Sequence, residues 1–509
     1  MINKNSTIGV VGICGANGNL IARILDERGY NVIGIDSSSK EDCRFIKSLD
    51  GYDIELIFGD NPDDEFFEKI DFLVPPLSLA KDHEIFSKAK ECNVEILTLE
   101  DIVDLFKSEK PVFGITGTNG KTTSIELMKK IAYDNNIIPA EHNLEGMQGN
   151  AEFIPILQSR LDGDVGILEI GTFGVPGTVS RITENVGLES GLITNITEDH
   201  LNELSGFIEY AKVKGEFIQT LMGKQIIVNA NDPTIMGLLK QYNYDGDLIT
   251  FRVESSSTCT SEKQCVCGEN IKIQEIISGS GIYFCRNCGI TTPQTDYIAT
   301  NIDLENRKFD LFTPTDKLEV KMKLDGIHNV YNVLGVIIAS HEFLKLPYDK
   351  ILDSVANFTG VNGRMEHITT INNKDIIVDF AHNPAGVKTV LNAFKNLYDD
   401  ITTIITISSE SGEKGDLEIF ESVLDYSKYV IPNSAASQKI AKQYLDKNPS
   451  LKDKIILIDI DENFIKEGTI GTTKEEIKKG ITTALTLDCD KIIVIGEAAT
   501  KFKDVILNL

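Results

Sequence analysis

An apolar strand that runs straight into "GITGTNGKTTS" (114–124) constrains the fold more than any other stretch of this sequence. Its glycines are Gly114, Gly117 and Gly120, followed at once by Lys121, Thr122 and Thr123. A strand, a glycine-rich loop and a helix in that order aim backbone N–H groups and a helix N-terminus at an anion. The lysine reaches terminal phosphates, and a threonine hydroxyl can ligate Mg²⁺. The usual pattern has glycine six residues before the lysine, but here that position is Ile115. The stretch therefore reads as a nucleoside-triphosphate loop of irregular form. It places the chain in the α/β class with parallel sheets.

Strand and helix patterns alternate along most of the remaining sequence. At 509 residues the chain exceeds one ordinary core, so several domains are expected. Residues 1–108 read as a Rossmann-like N-domain, with "SEKP" (108–111) as a linker. There "GICGANG" followed by Asp36 resembles a dinucleotide fingerprint, making Gly15, Asn17, Gly18 and Asp36 candidates for a nucleotide-tailed ligand such as a UDP-sugar. Residues 109–357 read as a central P-loop ATPase sheet with an added antiparallel part. Residues 358–509, with "DIIVDFAHNP", "ITTIITIS", "YVIPN", "KIILID" and "KIIVIGEAA" as strands, read as a C-terminal Rossmann-like domain.

The net charge is −27, which disfavours nucleic acid and anionic membranes as partners. No apolar run is long enough to span a bilayer, and "MINKNST" leads directly into a strand, so the expected compartment is the cytoplasm. Nine cysteines in such a chain argue against a disulfide framework. Cys14, Cys43, Cys92 and Cys489 are scattered and read as structural thiols. The other five fall within 259–288. Cys285-x-x-Cys288-Gly is a zinc knuckle, and Cys265-x-Cys267-Gly is a second one that is a residue short. The spacing predicts a zinc ribbon inserted at about 257–292. Cys265, Cys267, Cys285 and Cys288 are the expected ligands of a structural Zn²⁺, with Cys259 as a spare.

Open parallel sheets bind ligands beyond the carboxyl ends of their strands. Glu169 ends "VGILE"; Asn195 ends "GLITN", with Glu198, Asp199 and His200 just past it. Together with the phosphate loop they form a plausible metal site. Lys214 lies on the apolar stripe of "SGFIEYAKVKGEFIQTLM", whereas Lys212 lies off it. The pattern leaves open whether its ammonium snorkels to solvent or is used chemically.

Eight segments in one order now carry a resemblance. "TGTNGKTT", "LEIGTFG", "TNITEDHL", "YAKVKGEFI", "VNANDP", "DGIHNVYNVLG", "GRMEHI" and "DFAHNP" resemble the Mur ligase family, the ATP-dependent ligases that add amino acids to nucleotide-linked cell-wall precursors. The resemblance implies three domains and assigns roles. Gly117, Thr118, Asn119, Gly120, Lys121, Thr122 and Thr123 would hold the ATP phosphates. Thr122, Glu169, His200 and a carbamylated Lys214 would hold Mg²⁺. Asn329 and Asn332 would lie on the adenine side, and Arg364, Asp379, His382 and Asn383 would close over ATP. It implies a UDP-linked peptide precursor and an amino acid as substrates, joined through an acyl phosphate.

Three departures matter. The Asp-Asn-Pro-Arg motif is missing, with "IPNSAAS" near that point, and "VPPLS" replaces a Ser-Pro-Gly loop. The ribbon is similar to that of the lipid II isoglutaminyl synthase ligase subunit, which works with a glutaminase partner. This mixture resembles the archaeal pseudomurein peptide ligases. The alternative implied by the ribbon is an amidating subunit, and a further one is a zinc-ribbon interaction protein with a vestigial ATPase site.

Overall fold

The computed structural model describes the chain except for residues 1, 81, 146, 148, 152, 173, 199–205, 256–258, 396, 397, 399, 409, 410, 461–471 and 509. Two compact units emerge. The first comprises Met1–Ile115, Ala132–Thr172 and Thr178–Ser190; the second comprises Thr116–Ile131, Phe173–Gly177 and Gly191–Leu509.

The first unit opens with β1 (Thr7–Val11), β2 (Asn31–Asp36), β3 (Ile54–Phe58), β4 (Phe72–Val74) and β5 (Glu95–Ile96). They form a sheet in the order β3-β2-β1-β4-β5, with every pair parallel. The order reverses at β1, so the loop after β1 sits at a switch point of the kind that binds ligands. Helix Ala16–Glu27 follows that loop and buries Leu20, Ile21, Ile24 and Leu25. Gly18 is dictated by packing, because a Cβ there would stand 2.3 Å from the Gly12 carbonyl oxygen. The Asp36 carboxylate accepts the amides of Cys14 (3.0 Å) and Ser38 (2.9 Å), so it braces the glycine loop. Cys14 and Cys43 are joined as a disulfide, which corrects the expectation of scattered thiols. The loop and the segment after β2 bring them together, a proximity that their sequence separation does not reveal.

The same unit holds the pair β6 (Val112–Thr116) and β7 (Gly166–Glu169), parallel, with Ile115 opposite Glu169. Arginines tie 132–190 to the N-terminal sheet. Arg23, 2% exposed, donates to the carbonyls of Glu141 (2.9 Å) and His142. Arg28 donates to Asp162 and to the Arg160 carbonyl. Arg160, also buried, donates to the carbonyls of Asn185 (2.7 Å) and Val103 (3.3 Å). Hydrogen bonds from a charged donor are each worth about 1.5–3 kcal/mol, and here they add to the burial of Ile154, Ile156, Leu157 and Leu161.

The second unit contains β8 (Ser190–Ile193), β9 (Gln225–Asn229) and β10 (Asp247–Val253). The ribbon strands β11 (Thr260–Gln264), β12 (Asn270–Ile277) and β13 (Ser280–Tyr283) come next, then β14 (Tyr297–Asp303), β15 (Lys308–Phe312) and β16 (Lys317–Lys321). β9, β10 and β14 run parallel, and β14, β15 and β16 antiparallel, the expected added part. Helix Ile327–Glu342 is buried from Asn329 to Ser340.

The remainder of this unit is a sheet of β17 (Glu366–Ile371), β18 (Lys374–Asp379), β19 (Ile401–Ile405), β20 (Tyr429–Pro432) and β21 (Lys491–Ile495). Its order is β17-β18-β21-β19-β20, and only β17 is antiparallel to its neighbour. "KIILID" is not a strand of this sheet: Ile455 makes one isolated bridge to Val430. The Gln438 amide takes the Ile458 carbonyl at 2.9 Å, satisfying by side chain what a ladder would otherwise satisfy. No helix among the described residues is long and apolar enough to cross a membrane.

Candidate active site

The phosphate loop leaves β6 and enters helix Lys121–Asp134 at once. Gly117 and Gly120 have φ of +146° and +83°. A Cβ at Gly117 would lie 2.0 Å from Thr194 Oγ1, and one at Gly120 would lie 2.2 Å from Asn332 Oδ1. Conformation and space therefore both demand glycine. The segment after β8 latches the loop. Thr118 N–H donates to the Asn195 carbonyl (2.8 Å), Asn119 N–H to Asn195 Oδ1 (3.0 Å) and Thr194 Oγ1 to the Asn119 carbonyl (2.7 Å). The Thr197 amide donates to Thr118 Oγ1 at 3.1 Å. Lys121 Nζ donates to the Thr118 carbonyl at 2.9 Å.

Above the loop, within the second unit, lies a cleft open to solvent. Asn119, Gly120, Thr122, Thr123, Asn329, Asn332, Arg364 and Asp379, all proposed from sequence, line it. Asn383 does not line it but locks the loop to the C-terminal segment. Its Nδ2 donates to Asn119 Oδ1 (3.2 Å), and Asn119 Nδ2 donates back to Asn383 Oδ1 (3.4 Å). Arg364 stacks on the Phe380 ring at 4.5 Å. His382 meets the edge of the same ring.

The Asp379 carboxylate accepts the amides of Ala381 (2.7 Å) and Met365 (2.8 Å). Burial raises its pKa, opposed by Arg364 and those two amides. Lys214 is 2% exposed, so its head does not snorkel out. Its Nζ donates to the Gly117 carbonyl at 3.1 Å and stands 5.8 Å from the Tyr210 ring centroid. The lysine is thus buried directly under the phosphate loop, a costly place for a charge unless it is used or paired.

Some cleft residues have no clear signal in the sequence. His328 is one: burial pushes its imidazole down to about 4, with Asp325 opposing, and its Nδ1 has no hydrogen-bond partner among the described residues. Ile277, Ser278 and Ser280, from the ribbon, are others. A helical pattern predicts burial but not which end of a helix faces a void. Nothing in a cysteine spacing says where a ribbon's far turn will land.

The ribbon cysteines converge. The sulfurs of Cys265, Cys267, Cys285 and Cys288 all lie within 4.8 Å of one another, with the 265–288 and 267–285 pairs both at 3.6 Å. Four thiolates around Zn²⁺ at about 2.3 Å would be separated by about 3.8 Å. The donor set therefore fits zinc, and exposed Cys259 stands outside it. Gly268 and Gly289, with φ of +91° and +73°, close the knuckles by donating to the Cys265 and Cys285 carbonyls.

The other expected residues fall elsewhere. His200 and Asp199 lie outside the described residues. Glu169 ends β7 in the first unit, buried. Gly15 caps helix Ala16–Glu27, Asn17 and Gly18 lie in its first turn, and Asp36 ends β2, all in that unit.

A phosphate loop under a cleft, an inserted ribbon and a C-terminal sheet locked to the loop define a nucleotide-dependent α/β enzyme. Residues 115–278 match the Mur ligase middle domain, and residues 363–466 match the Mur ligase, glutamate ligase domain. The solved structure of a pseudomurein peptide ligase type C from Methanothermus fervidus is similar over 99% of this chain and 100% of that one, at 34% identity and a TM-score of 0.85. UDP-N-acetylmuramate–L-alanine ligase of Dictyoglomus turgidum is 25% identical, covering 96% of this chain and 95% of that protein. The Thermotoga maritima UDP-N-acetylmuramate-alanine ligase shares the fold at a TM-score of 0.58 and 17% identity, over 99% of this chain and 98% of that one. The chain belongs to the Mur ligase family, and it is an ATP-dependent ligase with that family's three-domain fold.

Replacing Gly120 by alanine is expected to cost about 1–3 kcal/mol of stability and to weaken ATP binding. Thermal unfolding and analogue titration measure both. The His328 pKa is lower in the folded state than the ordinary value. Its contribution to stability is therefore complete above about pH 6.5 and is lost as pH falls toward about 4. His328→Gln should flatten that part of the profile of unfolding temperature against pH.

Proposed function

We propose that this enzyme adds an amino acid to a UDP-linked cell-wall peptide precursor, forming an amide at the expense of ATP. The full-length likeness to the pseudomurein peptide ligase at 34% identity carries this reading. ATP would lie in the cleft, with its phosphates over Gly117–Lys121 and its adenine toward Asn329 and Asn332. The precursor's nucleotide tail would bind at Gly15, Asn17, Gly18 and Asp36.

The substrate carboxylate attacks the γ-phosphorus, giving an acyl phosphate and ADP. The amine of the incoming amino acid then attacks the acyl carbon, and phosphate leaves from the tetrahedral intermediate. Lys121 and the loop amides offset charge as it moves toward the β–γ bridge oxygen. Arg364, Asp379, His382 and Asn383 would close over the nucleotide and exclude water. Thr122, Glu169, His200 and Lys214 are the residues that would hold Mg²⁺. Buried Lys214 suits carbamylation, which would turn an expensive cation into an anionic ligand. When bound, Mg²⁺ would neutralise phosphate charge.

Incubation with ATP, UDP-linked acceptors and a panel of amino acids, read by mass, tests the reading. A gain of one residue mass is expected. Amidation of a carboxyl would favour the subunit that works with a glutaminase partner, and the absence of ADP would favour a vestigial site. Lys214→Ala should lose nearly all ligation while retaining the wild-type circular dichroism spectrum. Near-normal turnover would sink its assigned role. Metal analysis should find about one zinc per chain, lost on replacing Cys285 by serine.

A further inference from the structure

Three of the ribbon's contacts with the rest of the second unit bear on the nucleotide cleft. First, β13 is sewn to the segment after β9. Gly281 N–H donates to the Asn231 carbonyl (2.8 Å), Asn231 Nδ2 donates to the Gly281 carbonyl (3.2 Å) and the Tyr283 hydroxyl donates to the Ala230 carbonyl (3.0 Å). Second, Lys263 of β11 reaches into that junction. Its ammonium donates to the Ile196 carbonyl (2.8 Å), Asp232 Oδ1 (3.1 Å) and the Gly279 carbonyl (3.2 Å). Asp232 is fully buried, and its other carboxylate oxygen accepts the Ile196 amide at 2.7 Å. Third, the turn between β12 and β13 places Ile277 and Ser278 in the wall of the cleft.

The second contact is the informative one. Anchoring a hairpin does not require a buried ion pair, since backbone bonds and apolar packing suffice, and desolvating two charges is expensive. Here the pair grips Ile196 from both its amide and its carbonyl. The next residue, Thr197, donates its amide to Thr118 of the phosphate loop. A short covalent and hydrogen-bonded path therefore runs from the ribbon to the loop that is to hold the phosphates.

We propose that the ribbon is part of the ATP site. Lys263 is a positioning residue that fixes the Asn195–Thr197 latch, and Ile277 is a wall of the nucleotide cleft. This rests on the reading of the cleft as the ATP site. A ligase whose ribbon is intact but whose Lys263 is gone should therefore lose nucleotide affinity rather than acceptor affinity.

The test uses the full chain and a non-hydrolysable ATP analogue in calorimetric titration, together with KM for ATP and for the acceptor. Lys263→Met should weaken analogue binding and raise the ATP KM by about tenfold or more, with the acceptor KM unchanged and zinc retained. Lys263→Arg should restore most of the loss. Ile277→Ser, which touches no part of the ion pair, should weaken the analogue by about threefold at unaltered unfolding temperature. Should Lys263→Met not fold, the Ile277 variant decides. Wild-type affinity in a folded Lys263→Met protein, or in Ile277→Ser, overturns the proposal. An unmodified protein that binds no analogue would overturn the reading of the cleft itself.

Discussion

The latch between the phosphate loop and the segment after β8 is the contact on which the shape of that loop depends. A loop with two left-handed glycines has no helix or ladder to hold it. Its shape comes from outside, from Thr194, Asn195 and Thr197. Each bond contributes only about 0.5–1.5 kcal/mol, but several converge on Thr118 and Asn119, so the loop backbone is held in shape before any ligand arrives.

Lys214 and Asn383 follow from that arrangement. The Gly117 carbonyl is reached by a lysine on a buried stripe. On another side of the loop, the Asn119 side chain pairs with Asn383 while also donating to Thr197 Oγ1 of the latch. One short loop thereby collects groups from the central sheet, the helix that carries Lys214, and the segment after β18. The chemistry of a ligase asks for just such convergence, because carboxylate, phosphate and amine must be held at one point.

Much of this was legible in the sequence, for reasons particular to certain residues. The strand, glycines and Lys121 mark the loop, and the apolar stripe places Lys214 on a buried face while leaving its ammonium undecided; both are local properties. The two knuckles pick out the four cysteines that converge because each closes within a few residues. The Cys14–Cys43 disulfide, the cleft position of His328 and the landing of the ribbon turn were not legible. They depend on which distant segments meet, and a lone cysteine or isoleucine carries no mark of its neighbour. "KIILID" differs: its apolar pattern fits a strand, and it joins the sheet through one isolated bridge, Ile455 to Val430.

The Asn119–Asn383 pair has a consequence of its own. Two primary amides each give and receive a hydrogen bond, so the contact carries no formal charge. On a chain of net charge −27, a lysine–carboxylate clasp at the surface would change strength with every shift in ionic strength. An amide clasp does not. The grip of the C-terminal segment on the phosphate loop is thus insulated from the salt content of its surroundings.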